Sequence, residues 1–306
     1  MIDKDKEPLE SSYFDSLDLK KPIDEKKLLK GIYVSPKDKK LVEKYIDFKG
    51  YRGDISLKRA GVEVEWTPEL LAEYQKCADD PIYFIENHMK IISGDEGLIL
   101  FKLRDYQRIL INNMHNNRHC ITTMARQSGK SSAVTAYLLW YILFNEYKTV
   151  LLLANNAETA REILGKAQIA YMHLPKFIQQ GIIDGGWNKG SMMLENGSRA
   201  IAMSTADTAA RGYTANILIL DEAAHIEHWD DFSSSTLPTV SSMKTSKIMM
   251  ISTPFGLNHF WDYWEKARLM NMPKDQWPPN TKWNGYVPLR VSWDQVPGRD
   301  ADWLEP

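Results

Sequence analysis

Six consecutive residues have the types and order of a phosphate-binding loop: Arg126, Gln127, Ser128, Gly129, Lys130 and Ser131. A glycine between a strand and a helix lets backbone N–H groups converge on a phosphate, and the helix N-terminus adds a partial positive charge. Lys130 would reach the β- and γ-phosphates of a nucleotide, and the Ser131 hydroxyl would ligate Mg²⁺. The loop departs from the pattern G-x-x-x-x-G-K-[ST], because Met124 stands where the first glycine belongs. Taken alone, it leaves an ordinary strand, turn and helix with a solvated lysine as an alternative.

Two adjacent acids, Asp221 and Glu222, follow the apolar run 217–220. Open α/β sheets bind their ligands at the carboxyl ends of strands. Two carboxylates in that position are costly to bury unless a cation or water satisfies them. Asp221 is therefore the candidate Mg²⁺ ligand, directly or through water, and Glu222 is the candidate for orienting an attacking water. The alternative is an acidic turn that merely follows a strand.

Two further pairs of polar residues suit nucleotide chemistry. Hydroxyls end the apolar run 247–251, and either Ser252 or Thr253 could sense the γ-phosphate and relay its loss. Upstream of the loop, Gln107 offers a donor and an acceptor to the edge of adenine, and Tyr106 could stack on its ring. Without the loop, an amphipathic helix with a solvated glutamine would be the better interpretation of this second pair.

Two arginines are candidates for stabilising the charge that develops during phosphoryl transfer, a contribution of roughly 10³ to 10⁵ in rate. Arg126 lies inside the loop and would act in cis, whereas Arg211 would act in cis or on a neighbouring subunit. Either could instead be a structural ion-pair partner.

His225 and His228 resemble a metal pair with Glu227, but no third ligand follows at a suitable spacing, so we predict no metal there.

Apolar strands alternate with helical patterns around these residues. We predict strands at 121–124, 149–154, 217–220 and 247–252, and helices at 67–78, from 81 to the glycines at 94 and 97, at 133–144, at 157–174 and at 260–269. This alternation implies right-handed βαβ units and a parallel sheet. Asn196-Gly197 indicates a hairpin between 191–195 and 199–204.

Composition limits the class of protein. The chain has 306 residues, a net charge of −2 and two cysteines, Cys77 and Cys120. The near-neutral charge argues against a surface that coats nucleic acid, although a local basic patch is compatible with it. The cysteines form neither a disulfide framework nor a zinc spacing. The longest apolar run, 133–144, is too short to span a bilayer, so we expect no membrane association.

Three motifs together resemble the large terminase subunit of tailed bacteriophages, in its contractile-tailed myovirus branch. They are MARQSGKS at 124–131, ILILDEAAH at 217–225 and STPFGLNHF at 252–260. The segments that begin at Trp187 and Glu195 also match that branch, and the resemblance extends over about 67–270. In that family the first loop glycine is commonly replaced and an arginine stands where Arg126 is. The departure at Met124 is therefore typical of the family.

The resemblance implies a role for each motif. The family's adenine motif falls on Tyr106 and Gln107, and its phosphate-binding lysine and hydroxyl on Lys130 and Ser131. Its Mg²⁺-binding aspartate and catalytic glutamate fall on Asp221 and Glu222, and its coupling motif falls on Ser252 and Thr253. The implied fold is an α/β P-loop NTPase of the ASCE or RecA-like type, with a mainly parallel central sheet flanked by helices and a small flanking subdomain.

The resemblance also implies the domain organisation and the partners. We expect an N-terminal arm or small subdomain at 1–60, the ATPase core at 61–270, and a C-terminal segment at 271–306 that packs with the small subdomain or forms a hinge. The implied function is ATP- and Mg²⁺-dependent pumping of double-stranded DNA through the portal of a procapsid in the host cytoplasm. The implied partners are the portal protein and the small terminase subunit, with a pentameric ring of this chain when docked and a monomer in isolation. Nothing in the sequence matches the family's nuclease, so we expect no nuclease activity. The near-neutral net charge offers little electrostatic attraction to DNA, so we expect only weak DNA binding.

Two other functions remain open at this stage. DEAAH is one residue from a DEAD/DEAH helicase box, but the residues after Pro254 are too few for the second domain that such a helicase needs. The second alternative is a nucleotide-gated assembly module that binds ATP and turns it over negligibly by itself. The intact Glu222 argues against a dead site.

Overall fold

The computed structural model describes residues 50–206, 210, 212–300 and 303. Most of the predicted N-terminal arm, 1–49, and the candidate Arg211 lie outside the described residues. The strands are β1 Gly50–Tyr51, β2 Asp54–Lys58, β3 Lys90–Ser93, β4 Gly97–Leu100, β5 His119–Met124, β6 Thr149–Ala154, β7 Ile182–Asn188, β8 Ser191–Leu194, β9 Arg199–Ser204, β10 Ile217–Asp221, β11 Lys247–Ser252 and β12 Val287–Val291.

The main helices are α1 Pro68–Asp79, α2 Pro81–His88, α3 Asp105–Asn116, α4 Lys130–Phe144, α5 Ala157–Met172 and α6 His259–Arg268. Shorter pieces are the α-helical turns Trp229–Asp231 and Leu237–Val240, the π-helical turn Phe232–Thr236 between them, and the 3₁₀ turns Ala223–His225, Leu269–Asn271, Lys274–Gln276 and Trp293–Gln295. Within the described ranges, no helix has the length and apolar character needed to cross a membrane.

Across the described part of the chain, the central sheet has eight strands in the order β12-β5-β11-β10-β6-β9-β8-β7. The strands from β12 to β9 run parallel, and β8 and β7 are added antiparallel. All five residues of β10 are buried, as are five of the six in β6. Such continuous apolar runs are typical of parallel strands that are covered on both faces. The predicted α/β fold with a mainly parallel sheet is therefore confirmed.

Strand β11 separates β5 from β10 and fixes where the polar residues meet. Asp221 pairs in register with Ile251, and Ser252 pairs with Thr123. The carboxyl ends of β5, β11 and β10 therefore lie side by side at one edge of the sheet. The predicted phosphate-binding, acidic and hydroxyl residues lie at these three strand ends or begin the helix after β5, whereas Tyr106 and Gln107 lie on α3.

Two segments differ from the sequence prediction. The helix expected to run from 81 to about 94 ends at His88, and the hairpin β3–β4 follows it. Gly97 occupies the left-handed region at φ +74°, which closes the hairpin turn. In the segment 271–306, β12 pairs with β5 as an edge strand of the central sheet, so the sheet extends beyond the predicted core. Pro288 disguised this strand in the sequence, although an edge strand tolerates proline.

The predicted hairpin at Asn196-Gly197 also holds the end of α4, the helix that begins at Lys130. Asn196 Nδ2 donates hydrogen bonds to the carbonyl oxygens of Ile142 at 2.8 Å and of Asn145 at 3.1 Å. These carbonyls lie at the helix C-terminus, where intrahelical donors are missing. The Asn196 side chain therefore caps α4 from another part of the chain.

We expect Asn196→Ala to lower the free energy of unfolding by about 1–3 kcal/mol, because it leaves partly buried carbonyl groups without donors. Chemical denaturation with urea would measure the change. Asn87→Ala is a matched control, because Asn87 is exposed and donates one bond to the Tyr83 carbonyl within its own helix. Equal stability losses in the two variants would contradict the capping role.

Candidate nucleotide-binding and catalytic site

The loop between β5 and α4 depends on left-handed backbone at two positions. Gln127 has φ +55° and Gly129 has φ +78°. A Cβ atom at position 129 would lie 2.5 Å from Gln107 Nε2, so a side chain there would be both strained and in collision. Gly129 is therefore required for the conformation of the loop and for its close contact with α3.

Residues of α3 support this loop through its carbonyl groups. The Tyr106 hydroxyl donates to the Ser128 carbonyl oxygen at 2.9 Å, and Gln107 Nε2 donates to the Gly129 carbonyl oxygen at 3.2 Å. Gln107 Oε1 accepts from the Arg104 backbone N–H at 2.9 Å, so both ends of the amide are engaged. Both side chains are buried. Their predicted adenine recognition stays a prediction, and the structure adds a loop-supporting contact that the sequence did not suggest.

Lys130 and Glu222 form an ion pair between the loop and the end of β10. Lys130 is the first residue of α4, and its Nζ contacts Glu222 Oε1. The Lys130 side chain is almost fully buried, whereas that of Glu222 remains 29% exposed. The pair places the predicted phosphate-binding cation next to the predicted water-orienting carboxylate. Ser131 follows in the same helical turn and is half-buried.

The second oxygen of Glu222 is held by the end of β11. Glu222 Oε2 accepts from the Thr253 backbone N–H at 3.1 Å, from the Thr253 hydroxyl at 3.0 Å and from the Ser252 hydroxyl at 3.2 Å. Burial alone would raise the pKa of Glu222, but Lys130 and the Thr253 donors outweigh it and hold that pKa below its usual value. Glu222 is therefore ionised at neutral pH, and both residues of the predicted coupling pair contact it directly.

Asp221 shows a feature expected of a metal ligand. It is 4% exposed, and its Oδ1 is buried with no hydrogen-bond partner among the described residues. Burial raises the pKa of Asp221 to about 6, although the positive charge of Lys130 opposes the shift. An unpartnered carboxylate oxygen is the kind of hard ligand that Mg²⁺ prefers, and Ser131 offers a hydroxyl at the start of α4. These residues fit a magnesium ion accompanying a nucleotide.

Of the two candidate arginines, Arg126 lies within the described residues. Arg126 is exposed in the loop and has no ion-pair partner within the described part of the chain. That leaves its guanidinium available to a ligand. Arg211 lies outside the described residues, so its role stays a prediction.

Three residues near the site were not identified as functional in the sequence. Asn258 Nδ2 donates to the Ala224 carbonyl oxygen at 2.6 Å, and His259 Nε2 lies 2.7 Å from the Ala223 carbonyl oxygen. They fix the 3₁₀ turn that follows Glu222. His225 ends this turn, with its Nδ1 3.6 Å from Glu222 Oε2. Asn258 and His259 follow β11, whereas the turn that they contact follows β10. The sequence could have suggested these contacts only if the two strands had been known to be neighbours.

The chain is similar to known proteins in sequence and in fold. Residues 121–281, more than half of the chain, match a family described as terminase large subunit, T4-like-virus type, N-terminal. The fold resembles the large terminase ATPase domain of Thermus phage P74-26, with 21% identity over 64% of this chain and 84% of that chain and a TM-score of 0.51. It also resembles the large terminase of bacteriophage HK97, with 19% identity over 70% of this chain and 43% of that chain and a TM-score of 0.53. At these identities, the two structures show a shared fold.

The contacts of Gln107 lead to a test of its role. Because both ends of its amide are engaged by backbone groups, we expect Gln107→Ala to loosen the loop and weaken ATP and GTP binding equally, by about 10-fold, or 1.4 kcal/mol. Equilibrium titration of both nucleotides would measure this. Gln75→Ala on the exposed face of α1 is the control. A selective loss of ATP affinity, with GTP affinity unchanged, would instead support adenine recognition.

The raised pKa of Asp221 predicts an unusual dependence of stability on pH. The folded protein holds the Asp221 proton more tightly than the unfolded chain, so its stability falls as pH rises from about 4 to the folded pKa of about 6. We expect Asp221→Asn to remove this cost. In Mg²⁺-free buffer, the variant should be more stable than the wild type at pH 7.5, by about 3 kcal/mol, with no difference below about pH 4.

Denaturant unfolding at several pH values would measure the effect, with Asp275→Asn at an exposed position as the control. A variant that is less stable than the wild type at pH 7.5 would show that Asp221 is satisfied by the protein alone.

Proposed function

We propose that this chain, which belongs to the terminase large subunit family of the T4-like-virus type, binds ATP with Mg²⁺ and hydrolyses it at the site around Lys130 and Glu222. We further propose that this hydrolysis drives double-stranded DNA into a procapsid. Family membership supports the ATPase class, and the geometry supports the assignment of the individual residues.

One observation carries the assignment of the site. A buried lysine at a helix N-terminus, an ionised glutamate and the hydroxyls of a neighbouring strand converge next to a buried aspartate whose Oδ1 has no hydrogen-bond partner among the described residues. Each group has a distinct use in phosphoryl transfer, which depends almost entirely on positioning and charge stabilisation. A purely structural cluster would be expected to satisfy Asp221 with its own donors.

We propose the following roles for the residues of this chain. Lys130 leaves Glu222 and contacts the β- and γ-phosphates as the nucleotide enters. Glu222 then accepts a hydrogen bond from a water and aims it at the γ-phosphorus, in line with the bond to the β-phosphate oxygen that breaks. Asp221 and Ser131 would hold the magnesium ion, which supplies neutralising charge to the phosphates.

The remaining residues would stabilise charge or detect the reaction. Arg126 would stabilise the developing charge from within the loop, and Arg211 is the second candidate for that task. Loss of the γ-phosphate would let Lys130 return to Glu222. Because Ser252 and Thr253 contact the same carboxylate, they would pass this change to β11.

Family membership also supports proposals about partners. We propose that the chain acts on double-stranded DNA at the portal of the procapsid in the host cytoplasm, as a ring of subunits and together with the small terminase subunit. The net charge of −2 supports DNA contacts through a local patch or through neighbouring chains rather than across the whole surface.

A specific observation favours a second candidate, the nucleotide-gated module with little turnover by itself. Both oxygens of Glu222 are engaged by protein groups, Oε1 by Lys130 and Oε2 by Thr253. The site must therefore break existing contacts before it can hold a water. As a nucleotide-gated module, the chain would bind ATP readily but would need the portal or DNA for rapid hydrolysis.

Glu222→Gln and Lys130→Ala should separate binding from chemistry. We expect Glu222→Gln to retain ATP binding and to lose Mg²⁺-dependent hydrolysis by at least about 10²-fold, because only the negative charge that orients and polarises water is removed. Lys130→Ala should weaken ATP binding and abolish hydrolysis, because the phosphates lose their cation. A phosphate-release assay with and without Mg²⁺, combined with nucleotide titration, would measure both properties.

Glu227→Gln is the matched control, because Glu227 is exposed five residues further along the chain. Hydrolysis by Glu222→Gln at the wild-type rate would refute the assignment of Glu222. ATP binding without turnover in every variant and in the wild type would favour the gated module.

A further inference from the structure

We propose that His225 is a positioning residue for Glu222 that keeps the carboxylate aimed when Lys130 transfers to the nucleotide. This inference rests on the proposed ATPase function. His225 ends the 3₁₀ turn Ala223–His225 that directly follows Glu222. The backbone N–H of His225 donates to the Glu222 carbonyl oxygen at 2.8 Å, which fixes the two residues relative to each other.

The imidazole has an unused polar atom directed at the catalytic carboxylate. Nδ1 of His225 is inaccessible to solvent and has no hydrogen-bond partner within the described ranges. It lies 3.6 Å from Glu222 Oε2. A nitrogen-to-oxygen distance of about 2.9 Å makes a hydrogen bond, so a shift of less than about 1 Å would close this contact. A buried polar atom left unpaired is costly, which makes a partner in another state of the site the simplest explanation.

The surroundings of His225 hold the ring in place for this role. Its ring stacks on Phe255, with ring centroids 4.5 Å apart and an interplanar angle of 29°. The turn beneath it is fixed by Asn258 and His259, which contact the Ala224 and Ala223 carbonyl oxygens. The backbone and one face of the ring are therefore constrained, while Nδ1 faces Glu222.

The proposed role follows from the present partners of Glu222. Oε1 contacts Lys130, and Oε2 accepts three hydrogen bonds from Ser252 and Thr253. To hold a water, the carboxylate has to turn and give up some of these contacts. In its Nδ1–H form, His225 can then donate to Oε2 and replace a lost donor. This limits rotation of the carboxylate in the hydrolysing state and leaves nucleotide contacts unchanged.

The test compares steady-state kinetics of His225→Ala and His225→Asn with the wild type. We expect His225→Ala to lower kcat about 10-fold with KM for ATP unchanged, because Glu222 loses orientation but the phosphate contacts remain. His225→Asn should recover at least half of the wild-type kcat, because its amide places an N–H group near the position of Nδ1. In a Glu222→Gln background, His225→Ala should have no further effect.

His228→Asn is the matched control. His228 is exposed, and asparagine tolerates its left-handed backbone at φ +51°. Phe255→Leu is a second test in case His225→Ala folds poorly. Phe255 is 59% exposed, and its replacement removes the stacking partner of the imidazole but keeps the imidazole itself. Releasing the stacked ring should lower kcat by about 2- to 5-fold, again without a change in KM.

The outcomes separate this inference from the proposed function. If the wild type hydrolyses ATP, Glu222→Gln does not, and His225→Ala keeps at least half of the wild-type kcat, then the role of His225 is refuted and the ATPase site stands. An equal loss in His225→Asn and His225→Ala, or a parallel change in KM, would also refute it, because that pattern indicates a structural role. Equal rates in the wild type and Glu222→Gln would refute the site itself and, with it, this inference.

Discussion

The ion pair between Lys130 and Glu222 is the interaction on which the site depends. It joins the first residue of α4 to the residue after β10, across the carboxyl end of β11. A parallel sheet in which β11 lies between β5 and β10 is what brings the two charges together. In the proposed mechanism Lys130 contacts the phosphates and Glu222 contacts the attacking water, so the two residues have to separate when nucleotide binds. Under this proposal, nucleotide binding and activation of the water are one exchange of partners.

The site contains two features that lower the stability of the folded protein, and contacts elsewhere in the fold compensate for them. Glu222 has left-handed backbone at φ +49°, which is unfavourable for a residue other than glycine, and Asp221 has a buried oxygen with no hydrogen-bond partner in the part of the chain that the structure describes. Such features persist only where the surrounding structure makes enough favourable contacts to hold them in place. Here the surroundings are the continuous buried strands β6, β10 and β11 together with the contacts from Asn258 and His259. Backbone strain of this kind occurs most often at functional sites.

The sequence predicted the fold and the order of the site residues, but not their mutual contacts. Apolar runs that end in a loop, two acids and two hydroxyls identify β5, β10 and β11 because each pattern is local. The position of β12 beside β5 was missed because Pro288 and the tryptophan-rich surroundings hide an edge strand. The contacts of Gln107 with the loop and of His225 with Glu222 join residues whose proximity depends on tertiary packing, which no local pattern encodes.

Titration of a slowly hydrolysed ATP analogue with Mg²⁺ into the wild type and Glu222→Gln tests the exchange of partners most directly. If binding must first separate Lys130 from Glu222, the variant should bind the analogue several-fold more tightly, and this gain should disappear in the Lys130→Ala background. Equal or weaker binding by Glu222→Gln would contradict the account. A gain that persists without Lys130 would also contradict it, because relief of charge repulsion, rather than release of the ion pair, would then be the cause.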